Sequence, residues 1–216
     1  MAAVNDKSDG AGDGVRGGGA GAATEGVDYT DRLRRIGGAR WKRLLNVQAP
    51  YRWNVRRLRL GRTLDVGCGL GRNLEHLDGN GVGVDHNASS VEYARSVGLT
   101  AFTVDGFVAS EYAKPDVFDS MLAAHLVEHL TDAESREILG SYLPYVRPGG
   151  RVVFITPQER GYASDATHVT FMDYAEVGRL AGYLGLTVER EYSFPLPRAF
   201  GKLFTYNEFI VVARKP

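Results

Sequence analysis

The sequence predicts a doubly wound α/β domain, a mostly parallel seven-stranded sheet with an antiparallel hairpin at one edge. Three observations predict it. After Gly61, short apolar runs alternate with amphipathic helical stretches, which calls for crossover connections and a sheet covered on both faces. The last two apolar runs have no good helix between them and should pair antiparallel. A glycine-rich turn, Gly67-Cys68-Gly69-Leu70-Gly71, separates the first run from the first helix. Such a turn lets backbone amides approach a ligand.

The parallel strands are expected at Thr63–Val66, Val82–Asp85, Ala101–Val104, Val117–Ala124 and Arg151–Thr156. The helices between them are expected at Leu70–Leu77, Asn87–Val97, Asp132–Tyr145 and Asp173–Leu184. Thr187–Phe194 and Asn207–Ala213 make the edge hairpin. Ahead of all this, residues 1–27 hold eight glycines and almost no large apolar side chain, and are expected to be a disordered tail. Residues 28–60 are expected to form a helical cap. Its first helix carries Leu33, Ile36, Trp41, Leu44 and Leu45 at near-helical spacing, broken by Gly37-Gly38. A second amphipathic piece follows Pro50, with Trp53, Val55 and Leu58 set among arginines. Residues 61–216 are the main domain.

Composition excludes several classes. One cysteine in 216 residues rules out a disulfide framework and a multi-cysteine zinc module. No apolar run approaches the roughly 18 residues of a membrane span, and no basic start leads into an apolar stretch. A cytoplasmic protein without a membrane role is the expectation. The balance of 26 basic and 26 acidic residues hides an asymmetry: −3 over residues 1–30, +10 over 31–62 and −7 over the rest. The basic stretch reads either as a solvated helix face or as a surface for an anionic partner.

Three acids follow the expected strands. Asp65, Asp85 and Asp105 fall at or near three successive strand ends, along the edge where open parallel sheets bind ligands. A nucleoside fits such a row, and so does a sulfonium. Cys68 reads as a small residue that fits the turn, because no His–Asp pair is spaced to activate it. A nicotinamide dinucleotide fold would need its third glycine at position 72, which is Arg72. His125-Leu126-Val127-Glu128-His129 matches the H-x-x-E-H pattern of inverted zinc peptidases, but His125 ends an apolar run where that helical geometry should fail.

Five segments in order resemble the class I S-adenosylmethionine-dependent methyltransferases, over about residues 61–213. Leu64-Asp65-Val66-Gly67-Cys68-Gly69-Leu70-Gly71 is similar to the family's first motif. Gly83-Val84-Asp85 resembles its ribose-binding strand end, and Asp105-Gly106 its adenine-reading acid. Phe118-Asp119-Ser120 through Glu128-His129-Leu130 resembles the fourth strand and following loop. Leu143 to Gly150 is similar to the turn before the fifth strand.

The resemblance implies a Rossmann-like methyltransferase fold and S-adenosylmethionine as cofactor. It places cofactor contacts on Asp65, Gly67, Cys68, Gly69, Asp85, His86, Asp105, Gly106 and Ala124, with Arg52 on the cofactor carboxylate. It places acceptor chemistry on Glu128, His129 and His168. Small-RNA and quinone-biosynthetic relatives bind a divalent metal through a Glu-x-x-Glu-His sequence in this loop. Here His125 stands in place of the first glutamate, so a metal-free role is the expectation. The implied reaction is methyl transfer to an oxygen or nitrogen of a small molecule, by a monomer or homodimer. A nucleic-acid acceptor using the basic 31–62 segment and a non-catalytic cofactor-binding regulator are the alternatives.

Overall fold

Seven strands form one sheet in the order β3-β2-β1-β4-β5-β7-β6. They are β1 (Thr63–Val66), β2 (Gly81–Val84), β3 (Ala101–Phe102), β4 (Phe118–Ala124), β5 (Val146–Pro157), β6 (Thr187–Phe194) and β7 (Glu208–Arg214). The architecture comes from a computed structural model that describes residues 48–216. The expected tail over 1–27 and the expected helix through Leu33–Leu45 lie outside the described residues.

β1 to β5 pair in parallel, whereas β7 runs antiparallel to both β5 and β6, as the helix-poor connection between the last two runs requires. Seven α-helices connect and cover the strands among the described residues: α1 (Ala49–Arg57), α2 (Arg72–His76), α3 (Ala88–Ser96), α4 (Val104–Val108), α5 (Asp132–Tyr142), α6 (Glu159–Tyr162) and α7 (Tyr174–Tyr183). No helix among the described residues is long and apolar enough to cross a membrane.

The central strands are apolar at consecutive positions because both faces are buried. In β4, Met121 and Ala123 enter one core cluster while Leu122 and Ala124 enter the other. In β5, Val152 and Phe154 alternate with Val153 and Ile155 in the same way. Each such side chain contributes about 1.5–3 kcal/mol when fully buried. Val55, Leu58 and Leu60 join the second cluster. The 49–60 part of the expected cap is therefore built into the domain's own core.

Helix starts follow local chemistry. Asn87 accepts hydrogen bonds from the amides of Ser89 and Ser90, capping α3. Thr131 and Glu134 form a reciprocal capping box at α5. Asp173 caps α7 with its own carboxylate, which accepts from the amides of Ala175 and Glu176.

Two expectations need correction. β3 stops at Phe102, because the Thr103 side chain accepts from the Gly106 amide and starts α4. Asp105 therefore lies in the first turn of a helix, not at a strand end. The fifth strand begins at Val146 rather than Arg151, and its Pro148-Gly149-Gly150 stretch is taken up as an irregularity in the pairing with β4.

Candidate active site

The cofactor-side residues come together at the carboxyl ends of β1 and β2. Gly67, Gly69 and Gly71 adopt φ of 75°, 52° and 85°, values that L side chains rarely take. A Cβ on Gly67 would stand 2.9 Å from the Leu126 side chain, so glycine also lets this turn pack against the loop after β4. Asp85 is buried, and its two oxygens accept from the Gly69 amide at 2.8 Å and the Asn87 amide at 2.8 Å. His86 places Nδ1 3.5 Å from the same carboxylate. Asp105 is exposed and Gly106 half-buried on the first turn of α4.

Asp65 is fully buried, and neither carboxylate oxygen has a hydrogen-bond partner among the described residues. Burial, reinforced by Asp85 and opposed by Arg72, pushes its pKa up to about 8. A buried acid left unpaired is a costly arrangement that a cationic ligand group relieves. The amino group of a bound methionine moiety supplies that positive charge, so the residues present fit the implied cofactor. Cys68 is buried with Sγ pointing toward the Gly69 carbonyl. Burial, then the charges of Asp65 and Asp85, raise its pKa and hold the thiol protonated. That environment disfavours a thiolate.

The acceptor-side residues also converge. β4 ends at Ala124, and His125 takes φ of 55° before a 3₁₀ turn at Val127–His129. The turn breaks the continuous helix that a zinc peptidase motif needs. Glu128 is fully buried, with one oxygen 3.2 Å from His125 Nδ1 and the other without a partner among the described residues. Its backbone carbonyl accepts from the amides of Val169 and Thr170, which ties down the segment carrying His168. One donor atom each from Glu128, His129 and His168 lie within 4.8 Å of one another.

Both imidazoles are oriented from behind. His129 Nδ1 faces the Thr167 carbonyl at 3.3 Å, and His168 Nδ1 faces the Tyr162 carbonyl at 2.7 Å. A carbonyl only accepts, so these bonds put the proton on Nδ1 and leave Nε2 with the lone pair. Burial, assisted by the neighbouring His168 and opposed by Glu128, lowers the His129 pKa and keeps that ring neutral. Tyr162 stacks on His168, with ring centroids 5.2 Å apart.

The profile of a methyltransferase domain family matches residues 32–205 of this chain. The chain belongs to the class I S-adenosylmethionine-dependent methyltransferases. Among similar proteins, a ubiquinone biosynthesis O-methyltransferase of Bradyrhizobium sp. is 31% identical over 124 residues, covering 52% of this chain and 46% of its own. The chain thus spans about half the length of that relative. An uncharacterized methyltransferase of Anoxybacillus flavithermus is 27% identical over 158 residues, covering 68% of this chain and 69% of its own. Magnesium protoporphyrin IX methyltransferase from Synechocystis PCC 6803, solved with bound S-adenosylhomocysteine, shares the fold at TM-score 0.62 and 16% identity, over 90% of this chain and 97% of that one.

The methyltransferase also has site-facing residues that sequence reading missed. A narrow cleft, with about 20 Å³ open to solvent, is lined by Tyr51, Asn54, Val55, Arg72, Asn73, His76, Ala124, His125, Ile155 and Glu208. It joins α1, α2 and the ends of β4 and β5 to the start of β7. His125, weighed in the sequence only as a departure from a motif, is clamped there between two carboxylates, with Nε2 3.0 Å from Glu208. Burial opposes its charge, but the hydrogen bonds to Glu128 and Glu208 prevail and raise its pKa to about 9. His76 is held near 4 by burial and by Arg72, Arg52 and Arg56. Arg52 thus belongs to a cationic cluster beside the cleft. No local signal marks Glu208 or Tyr51, which reach the site from opposite ends of the domain.

Proposed function

We propose that this methyltransferase acts on an oxygen or nitrogen of a small-molecule acceptor, with His129 and His168 facing the atom that is methylated and the buried Glu128 behind them. The single observation that carries this reading is the convergence of those three side chains on the loop after β4. Bound S-adenosylmethionine supplies an already activated methyl group. The protein's share is alignment, exclusion of water and removal of one proton.

Each residue then has a task. Asp65 pairs with the cofactor's ammonium, and Asp85 accepts from its ribose hydroxyls while bonded to the Gly69 and Asn87 amides. Arg52 offers its charge to the cofactor carboxylate. The glycine turn, with His86 and Ala124, borders the cofactor, and Asp105 with Gly106 meets the adenine. His129, neutral and oriented by Thr167, takes the acceptor's proton, and His168 and Glu128 share the resulting charge.

The similarity to a ubiquinone biosynthesis O-methyltransferase supports a small acceptor. So does the use of the basic residues: Arg57 lies 4.5 Å over Trp53 and 4.8 Å over Tyr192, and Arg56 pairs with Asp78. Those cations serve packing rather than a nucleic-acid surface.

A second reading is favoured by one observation. Three ligand-type atoms within 4.8 Å, with both imidazoles oriented through Nδ1, suit a divalent cation of the Zn²⁺ or Mn²⁺ type. One experiment separates the two: methyl transfer from labelled cofactor across a metabolite panel, with and without chelator. Turnover that survives chelation supports the general base. Turnover lost to chelator and restored by added metal supports the cation. Cofactor binding without transfer to any acceptor, by a chain whose cleft stays closed, would instead mark a regulatory binding protein.

A further inference from the structure

The edge of the sheet opposite the active site carries an open cleft of about 380 Å³, far larger than the cleft beside the cofactor residues. It is lined by Arg59, Leu60, Gly61, Asp119, Arg147, Gly149, Arg151 and Arg214. These come from the chain after α1, the start of β4, the start of β5 and the end of β7. We propose that this cleft is a second ligand site, one that binds a small phosphate-bearing anion such as a pyrophosphate or nucleotide.

Charge makes the first case. Four guanidinium groups meet here, and among the described residues the carboxylates of Asp119 and Glu189 pair with three of them. Arg151 and Arg214 are direct cross-strand partners in the β5–β7 ladder, a like-charge pairing that opposes sheet formation. Glu189 bridges both, and Arg147 Nε donates to Asp119 at 2.8 Å. The surplus falls on Arg59, whose guanidinium has no hydrogen bond or ion pair among the described residues.

Backbone conformation makes the second case. Leu58 ends α1 as its C-cap, and Arg59 follows with φ of 50°, the left-handed position where glycine is the easy choice. An arginine there accepts backbone strain while its guanidinium makes no hydrogen bond or ion pair among the described residues. A ligand contact accounts for it.

Chemistry selects the ligand. Several planar guanidinium forks around a polar cavity suit a tetrahedral, multiply charged oxyanion better than a single carboxylate. The seven residues of β4 place this cleft about 20 Å from the acceptor loop. A phosphate bound here is therefore no part of the methyl acceptor, and the site is independent of the function proposed above.

The test is calorimetric titration of the full chain with inorganic pyrophosphate, alone and saturated with S-adenosylhomocysteine. The expected result is saturable binding that weakens with added salt and is indifferent to S-adenosylhomocysteine. Arg59→Gly keeps the left-handed turn and removes the charge. It should weaken pyrophosphate about tenfold or more, with cofactor affinity and melting temperature unchanged or slightly raised. Four outcomes would overturn the proposal: no binding to the wild-type chain, displacement by S-adenosylhomocysteine, unchanged affinity in R59G, or binding of a single-stranded oligonucleotide but not of pyrophosphate.

Discussion

The cofactor half and the acceptor half of the active site are built in different ways. The core of the cofactor half is local, although Arg52, Asp105 and Ala124 are set against it from outside that stretch. Asp65, Gly67, Gly69 and Asp85 lie within 21 residues, on two adjacent parallel strands joined through one short helix. The acceptor half, as proposed, draws on distant segments: His129 bonds to Thr167, 38 residues away, and His125 in the same loop bonds to Glu208, 83 residues away. Binding geometry can be carried by a contiguous motif because a strand, a turn and a helix already aim amides and carboxylates at one point. Proton chemistry needs burial and a partner of opposite character, and only distant segments supply both.

This contrast predicts a split in kinetic effects. Replacing His129 or His168 by Ala should lower kcat by about 10²-fold or more, with cofactor affinity near wild type. Single-turnover assays with labelled cofactor, alongside binding measurements, check it. A variant that loses affinity and keeps kcat would show that the two halves are not separate.

Asp85→Ala should produce the opposite pattern. Loss of the carboxylate proposed to accept from the ribose should weaken cofactor binding by about 2 kcal/mol, roughly 30-fold, in a folded protein. Calorimetry decides it, and unchanged affinity would remove the strand end of β2 from the cofactor site.

Asp65 sharpens the comparison through pH. Its pKa of about 8 in the free protein means that the buried acid is protonated at neutral pH. Binding an ammonium group favours the ionised carboxylate, so binding should expel a proton. Affinity then rises with pH, by up to about tenfold per unit, until near pH 8, where the cofactor's own amine starts to lose its proton. Titrations in buffers of different ionisation enthalpy should detect the released proton, and Asp65→Asn should abolish it.

The smallest effect is expected at a residue that serves local structure. Asn87→Ala removes the cap from α3 and should cost about 1 kcal/mol of stability, leaving kcat within a fewfold of wild type. Thermal unfolding with a parallel rate measurement tests it. A large loss in kcat would mean that the α3 cap, through the Asn87 amide on Asp85, belongs to the catalytic machinery after all.

Much of the fold was legible because its signals are short-range. Alternation of apolar runs with capped helices marked β1, β2, β4 and the α3, α5 and α7 helices to within a few residues. The helix-poor connection after Phe194 marked the antiparallel edge. β3 was overextended because Thr103 and Val104 favour strands by type, whereas the Thr103 hydroxyl, bonded to the Gly106 amide, turned the chain into α4.

By itself the sequence determined the order of the strands along the chain, the glycine turn, and the acids Asp65 and Asp85 on the first two strands. It also grouped Glu128, His129 and His168 as one acceptor-side set, without fixing their geometry. Only the tertiary structure decided that those three meet, that Glu208 and Glu128 clamp His125, and that four arginines from distant segments share one cleft at the far edge. The reason is physical. Backbone conformation and capping depend on neighbours a few residues apart, so a sequence displays them directly. Desolvation and charge pairing depend on what the fold brings within a few ångströms, and Asp65 shows it: an ordinary strand aspartate in the sequence becomes a buried, unpaired acid with its pKa near 8 only when the sheet closes around it.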